Sequence, residues 1–180
     1  PFIEISGAIN YGETVLRTPP LKLIVVSDLR LTAQARYFNV DRSQVGSGPL
    51  PPRVNEETKY RVRFHLKNTF HDLSNIVVTA NLPEQGHWLG IAETTSGKIT
   101  FNETAREIRW EIPRLPVTVT DLDANFDIGI TPQEADRNKL VLLLGIARAE
   151  ALDTITQVTF STDAPSLSSS LDLDPLAKGK

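Results

Sequence analysis

Polar and apolar residues alternate one for one along most of this chain, and a period of two rather than 3.6 reads as strands rather than helices. The longest such run sets Tyr60, Val62, Phe64 and Leu66 against Arg61, Arg63, His65 and Lys67, as in a strand with one face on a core and one in water. Asn68-Thr69-Phe70-His71-Asp72 turns the chain into Ile76, Val78, Ala80 and Leu82. Pro83 closes that strand because it has no N–H to give to a ladder. Short strands follow over 88–91 and 98–101, and Asn102-Glu103-Thr104-Ala105 connects the second to Ile108, Trp110 and Ile112, closed by Pro113 and Pro116. Phe126, Ile128 and Ile130 alternate again before Thr131-Pro132, residues 133–139 have room for one helical turn, and Ile155, Val158 and Phe160 mark a last strand.

Some stretches depart from this regularity. Leu140, Leu142 and Leu144 hold even positions and Ala147, Ala149 and Ala151 odd ones; a bulge at Gly145 would join them as one strand, with a short amphipathic helix as the alternative. Leu21, Leu23, Val25, Leu29, Leu31, Ala33 and Ala35 keep one parity, with Ser27-Asp28 as the place to bend. Three prolines and two glycines make residues 46–52 a loop. Residues 166–180 are rich in serine and aspartate with few apolar residues to bury, and read as a linker. Residues 1–20 read as an N-terminal strand or linker. Leu16-Arg17-Thr18-Pro19-Pro20-Leu21 echoes Phe160-Ser161-Thr162-Asp163-Ala164-Pro165, as if these residues were the end of a preceding repeat. Phe2, Ile3, Ile5, Ala8, Ile9 and Tyr11 are expected to be buried, against an edge of this chain's own sandwich or of a neighbour, so that deleting residues 1–18 lowers stability or promotes self-association.

Many short strands, turn residues between them and hardly a helix predict an all-β fold. Its form is an immunoglobulin-like antiparallel β-sandwich of about eight to nine strands over residues 21–165. Val62, Phe64, Leu66, Ile76, Val78, Ile108, Trp110, Ile112, Phe126 and Ile128 should point into its core, with Trp88 and Trp110 as the large aromatics.

Composition narrows the function classes. A net charge of −3 argues against a nucleic-acid surface. No apolar run nears the ~20 residues of a membrane-spanning helix, so no membrane insertion is expected in this segment. With no cysteine among its 180 residues the chain has no disulfides, thiolate metal sites or cysteine nucleophiles. It also has no methionine, begins at Pro1 and enters an alternating strand almost at once, and reads as a piece of a longer polypeptide.

One set of motifs carries a resemblance. Leu66-Lys67-Asn68-Thr69 is followed by Asp72 to Pro83, then by Ser96-Gly97-Lys98-Ile99-Thr100-Phe101-Asn102, Ile108-Arg109-Trp110-Glu111-Ile112 and Leu115-Pro116. This succession resembles the repeated Ig-like "conserved repeat" domains of bacterial and archaeal cell-surface proteins. It is closest to large surface proteins of uncultivated small-genome bacteria, which share an aromatic strand like Ala35-Arg36-Tyr37-Phe38 and a loop like Gly48-Pro49-Leu50-Pro51-Pro52. The resemblance covers roughly residues 29–162, over motifs that are patterns of strand and turn. It implies the fold, an extracellular address and modular repetition, and brings no catalytic residues with it.

Residues that carry chemistry are few. His65, His71 and His87 have no metal-site spacing, and no nucleophile elbow or phosphate loop is present, so no catalytic residue and no cofactor is expected and the chain is not read as an enzyme. Asp121, Asp123 and Asp127 form one acidic cluster and Asp172 and Asp174 another; these are calcium candidates or solvated loop charge. Lys59, Arg61, Arg63 and Lys67 form a basic stripe that either pairs with Glu107, Arg109 and Glu111 across a sheet or offers a surface to glycans. Asn102-Glu103-Thr104 fits both a glycosylation sequon and a hairpin turn. Two functions follow. The first is a structural or adhesive cell-surface module, a stackable spacer whose partners are neighbouring copies or domains of the same protein. The second is a carbohydrate- or protein-binding domain.

Overall fold

The computed structural model describes residues 2–179. The chain opens with four short strands, β1 (Phe2–Ile5), β2 (Ala8–Tyr11), β3 (Thr14–Arg17) and β4 (Leu21–Ile24). They form one long hairpin, β1 pairing with β4 and β2 with β3. Gly12 makes its tip: its φ of 58° is the positive value that the first position of a two-residue hairpin loop requires. Every residue from Phe2 to Val25 is exposed. The burial expected against an edge of the same sandwich is therefore not found. The hairpin satisfies its own inner ladder and leaves the sandwich edges as they are.

The sandwich itself comprises β5 (Arg30–Arg36), β6 (Thr58–Lys67), β7 (Leu73–Asn81), β8 (Gly86–Thr94), β9 (Lys98–Asn102), β10 (Glu107–Leu115), β11 (Asp121–Ile130), β13 (Ala147–Asp153) and β14 (Thr159–Ala164). A single 3-10 turn, Glu134–Asp136, and the short β12 (Leu142–Leu144) precede β13, and β15 (Leu167–Ser168) follows β14. One sheet has five strands in the order β14-β13-β7-β10-β9 and the other four in the order β5-β6-β11-β8. Nine strands in two antiparallel sheets match the all-β, Ig-like sandwich expected from the alternation.

The inward parity of each strand follows the sequence pattern. All ten residues assigned to the core, from Val62 to Ile128, are at most 1% exposed. Trp110 lies at the centre with its indole N–H donating to the Ser96 carbonyl at 2.8 Å. Phe64 and Phe126 meet edge to face, 5.0 Å between centroids. Trp88 is only half-buried: it sits on the outermost strand of its sheet, where its ring stacks on Phe101 of the other sheet at 5.9 Å. The turn between β8 and β9 needs Gly97, whose φ is +81° and whose added Cβ would lie 2.2 Å from the Glu111 carbonyl.

Three sequence assignments are corrected. Leu140 to Ala151 is neither one bulged strand nor a helix: the chain breaks at Gly145, whose N–H donates to Asn81, and β12 pairs with β15 while β13 joins the five-stranded sheet. Residues 21–24 belong to the hairpin, so the sandwich begins beyond them. Residues 166–180, expected as a linker, turn back onto the sandwich as far as they are described. Leu171, Asp174 and Ala177 are buried there, and Ser169 donates to the Val141 carbonyl.

Candidate functional site

Three polar constellations stand out from the apolar core. The first lies on the outer face of the four-stranded sheet. The β6–β11 register sets Arg61 opposite Asp127, Arg63 opposite Asn125 and His65 opposite Asp123. Arg61 grips Asp127 through two bonds of 2.8 and 3.1 Å, and Arg63 grips Asp123 through two of 2.8 Å. His65 bridges Asp123 and Asp121 at 2.9 and 3.3 Å. The Arg63 guanidinium holds the Asp123 carboxyl below its ordinary value, against the opposing effect of burial. The basic stripe and the first acidic cluster are thus one ladder. The partners expected for the stripe are elsewhere: Glu107, Arg109 and Glu111 lie on β10 of the other sheet, where Arg109 pairs with Glu111 at 2.8 Å. Lys59 reaches Glu57, which also bonds His87.

The second constellation is a buried knot at the pole where the chain enters the sandwich. Ser27 Oγ donates to Asn68 Oδ1 at 2.6 Å, and Asn68 Nδ2 donates to the His71 carbonyl at 2.7 Å. His71 Nδ1 lies 2.7 Å from Asp153 Oδ2, which also accepts the Ser27 amide at 2.9 Å. Asp153 Oδ1 takes the amides of Ile155 and Thr156. Burial pushes the Asp153 carboxyl up, but the His71 ring and these amides outweigh it and hold the group down at about 2. Just outside, Asp28 accepts both the amide and the hydroxyl of Thr69, at 2.9 and 2.8 Å. Ser, His and Asp meet here, but not as a nucleophile relay. The serine hydroxyl is bonded to Asn68 and to the His71 amide, not to the ring, and the whole knot is buried.

The third is at the opposite pole. Asp174 is buried, and its Oδ2 accepts the amides of Tyr37 and Phe38, each at 2.8 Å, while its Oδ1 accepts those of Leu176 and Ala177, each at 3.2 Å. A carboxylate that caps four amides holds the C-terminal turn to the end of β5.

Each aspartate weighed for calcium therefore has a place. Asp121, Asp123 and Asp127 stand in the ladder, Asp174 is the buried cap, and Asp172 is exposed beside Ser170 and Lys178. Among the described residues no three His, Asp or Glu side chains gather as a metal site. Among the described residues three clefts are of moderate size. One of about 260 Å³ lies between Ala33–Ala35 and the C-terminal segment, one of about 390 Å³ lies by Arg36, Val40 and Leu176, and one of about 420 Å³ lies by Pro51, Pro52, Arg137 and Lys139. No histidine lines any of them. At the sequon, the Asn102 side chain accepts the Ala105 amide, and the left-handed residue of the turn is Arg106 rather than the asparagine. Sequence reasoning missed the knot and the Asp174 cap. Their signals, an Asp at the end of β13 and one of two Asp in a serine-rich tail, are faint in one dimension.

No protein-family model matches the chain, and no curated protein does. Among solved structures, the major pilin subunit of Bacillus cereus is similar to it with a TM-score of 0.53 at 9% identity, over 92% of this chain and 47% of that one. The full-length major pilin of Corynebacterium diphtheriae is similar with a TM-score of 0.52 at 8% identity, over 78% of this chain and 35% of that one. The chain spans less than half the length of these pilins. At such identity the likeness is one of fold, the Ig-like sandwich that bacterial pilin subunits also use.

Proposed function

We propose that this chain is a non-catalytic structural module of a larger cell-surface protein, a spacer that works outside the cell in series with neighbouring copies or domains. The path of the chain carries this reading. It enters the sandwich at the pole where Ser27 and Asp28 are tied to the Asn68–Thr69 turn, runs along β5, and has its C-terminal turn pinned by Asp174 at the other end of the same strand. Modules threaded from pole to pole line up end to end. A pull along such a chain loads all seven β5–β6 pairs at once, because ladder bonds run across the strand axis. The buried carboxylates at the two poles resist peeling, and the fold likeness to pilin subunits supports the same assignment.

Single-molecule pulling from the two ends tests it. One all-or-none unfolding event at high force is expected, with the force lowered by Asp174→Ala and unmoved by Lys98→Ala. A chain that yields gradually at low force would count against a spacer. The rival, a carbohydrate- or protein-binding domain, predicts specific, saturable binding in a screen of glycans and cell-wall polymers; the spacer predicts none.

A further inference from the structure

The hairpin of residues 2–24 has two unlike faces. In β1–β4, Ile3 opposes Leu23 and Ile5 opposes Leu21 on one side, wholly apolar, while the other side is mixed: Glu4 opposes Lys22 and Phe2 opposes Ile24, with the Lys22 ammonium 4.0 Å above the Phe2 ring. In β2–β3, Ile9 opposes Leu16 and Tyr11 opposes Thr14 on one side, and Ala8 with Arg17 and Asn10 with Val15 lie on the other. Between the two halves Ser6 and Gly7 on one arm face Thr18, Pro19 and Pro20 on the other, with Thr18 donating to the Gly7 carbonyl. That one extra residue acts as a bulge and brings even-numbered Leu16 to the same side as odd-numbered Leu21 and Leu23. The result is an amphipathic ribbon with an apolar row at strand spacing, each member between 43 and 82% exposed.

Side chains of this size leave on the order of 800 Å² of surface on that face, more than the largest apolar patch of an ordinary monomer (~300–600 Å²) and close to one partner's share of a standard interface. A two-stranded hairpin alone is at best marginal in water and needs a covering layer. The sandwich of this chain does not cover it: every residue from Phe2 to Val25 is exposed, the inner faces of the sandwich are filled by their own side chains, and its outer faces carry ion pairs such as Arg61–Asp127 and Arg148–Asp163. The same hairpin face on a second copy presents a matching apolar row at the same spacing.

We propose that this face is a homotypic docking surface, and that the hairpin of one copy packs face to face on the hairpin of a second copy. Two such ribbons about 10 Å apart make a small two-layer sandwich, with the mixed face, where Glu4, Arg17 and Lys22 stand beside Phe2, Val15 and Ile24, turned outward. A twofold axis lets one patch serve both partners. The inference stands apart from the spacer reading and survives or fails without it.

Sedimentation equilibrium of the whole chain over a wide concentration range tests it. The expected species is a dimer that dissociates on dilution. Ile5→Lys with Leu21→Lys should halve the mass to that of one chain, whereas Glu4→Ala on the other face should leave the dimer intact. A short bismaleimide should join two copies of an Ile9→Cys variant, the cysteine-free background making that cross-link unambiguous. A chain monomeric at all concentrations overturns the proposal. So does a dimer that survives the double lysine variant, which would place the contact elsewhere. Loss of sandwich stability in that variant, read by its melting in the same samples, would show that the hairpin covers the sandwich instead and equally overturns it.

Discussion

Trp110 fills the middle of the core, with no exposed surface and its one polar atom bonded to Ser96. Cutting it to alanine removes the largest side chain of the interior and strands that carbonyl, so Trp110→Ala should cost about 3–5 kcal/mol in a urea titration. Trp88 obeys the same alternation and is only half-buried, because periodicity gives the face of a strand but not whether the strand is central or at an edge. Asp153 makes a sharper case. Its carboxyl is held at about 2 instead of the ordinary 3.8, so it contributes to stability fully above pH 4 and loses that contribution as the pH falls through 2. The shift corresponds to about 2 kcal/mol. Asp153→Asn should therefore flatten the fall in stability between pH 4 and 2 while lowering stability at neutral pH, and denaturation at a series of pH values checks both.

Charged residues on paired strands show why elements are easier to read than their partners. The stripe on β6 and the acids on β11 are each visible in the sequence, yet 66 residues separate Arg61 from Asp127, and alternation says nothing about which strands lie side by side. Complementary charge alone offers the acids of β10 as one partner for the stripe, whereas the observed strand order places β11 there. With Asp123 and Asp127 already held by guanidinium groups, millimolar calcium should leave the melting temperature unchanged; a rise that Asp123→Ala abolishes would contradict this. The C-terminal segment was illegible for a different reason. Its composition is that of a linker, and its order comes from one carboxylate and a few small apolar contacts. Asp174→Ala removes the carboxylate that accepts the Tyr37 and Phe38 amides. It should expose the amides of residues 167–178 to hydrogen exchange while those of β6 and β11 stay protected.

At the scale of the molecule, fold class, core and strand parity were legible because they rest on a period of two that runs through the whole chain. The fate of both ends was not, since each depends on what lies opposite. Every residue from Phe2 to Ile24 is exposed, so removing residues 1–24 should leave the melting of the sandwich unmoved, as a thermal scan would show. The two pinned poles have a further consequence. Folded, the strands between them reach only about 34 Å, the length of ten extended residues. The chain between Asp28 and Asp174 would reach on the order of 500 Å if drawn out straight. The chain therefore stores more than ten times its folded length, and, if copies work in series as proposed, a filament of them would absorb a sudden tug by surrendering one fold at a time without a covalent bond being broken.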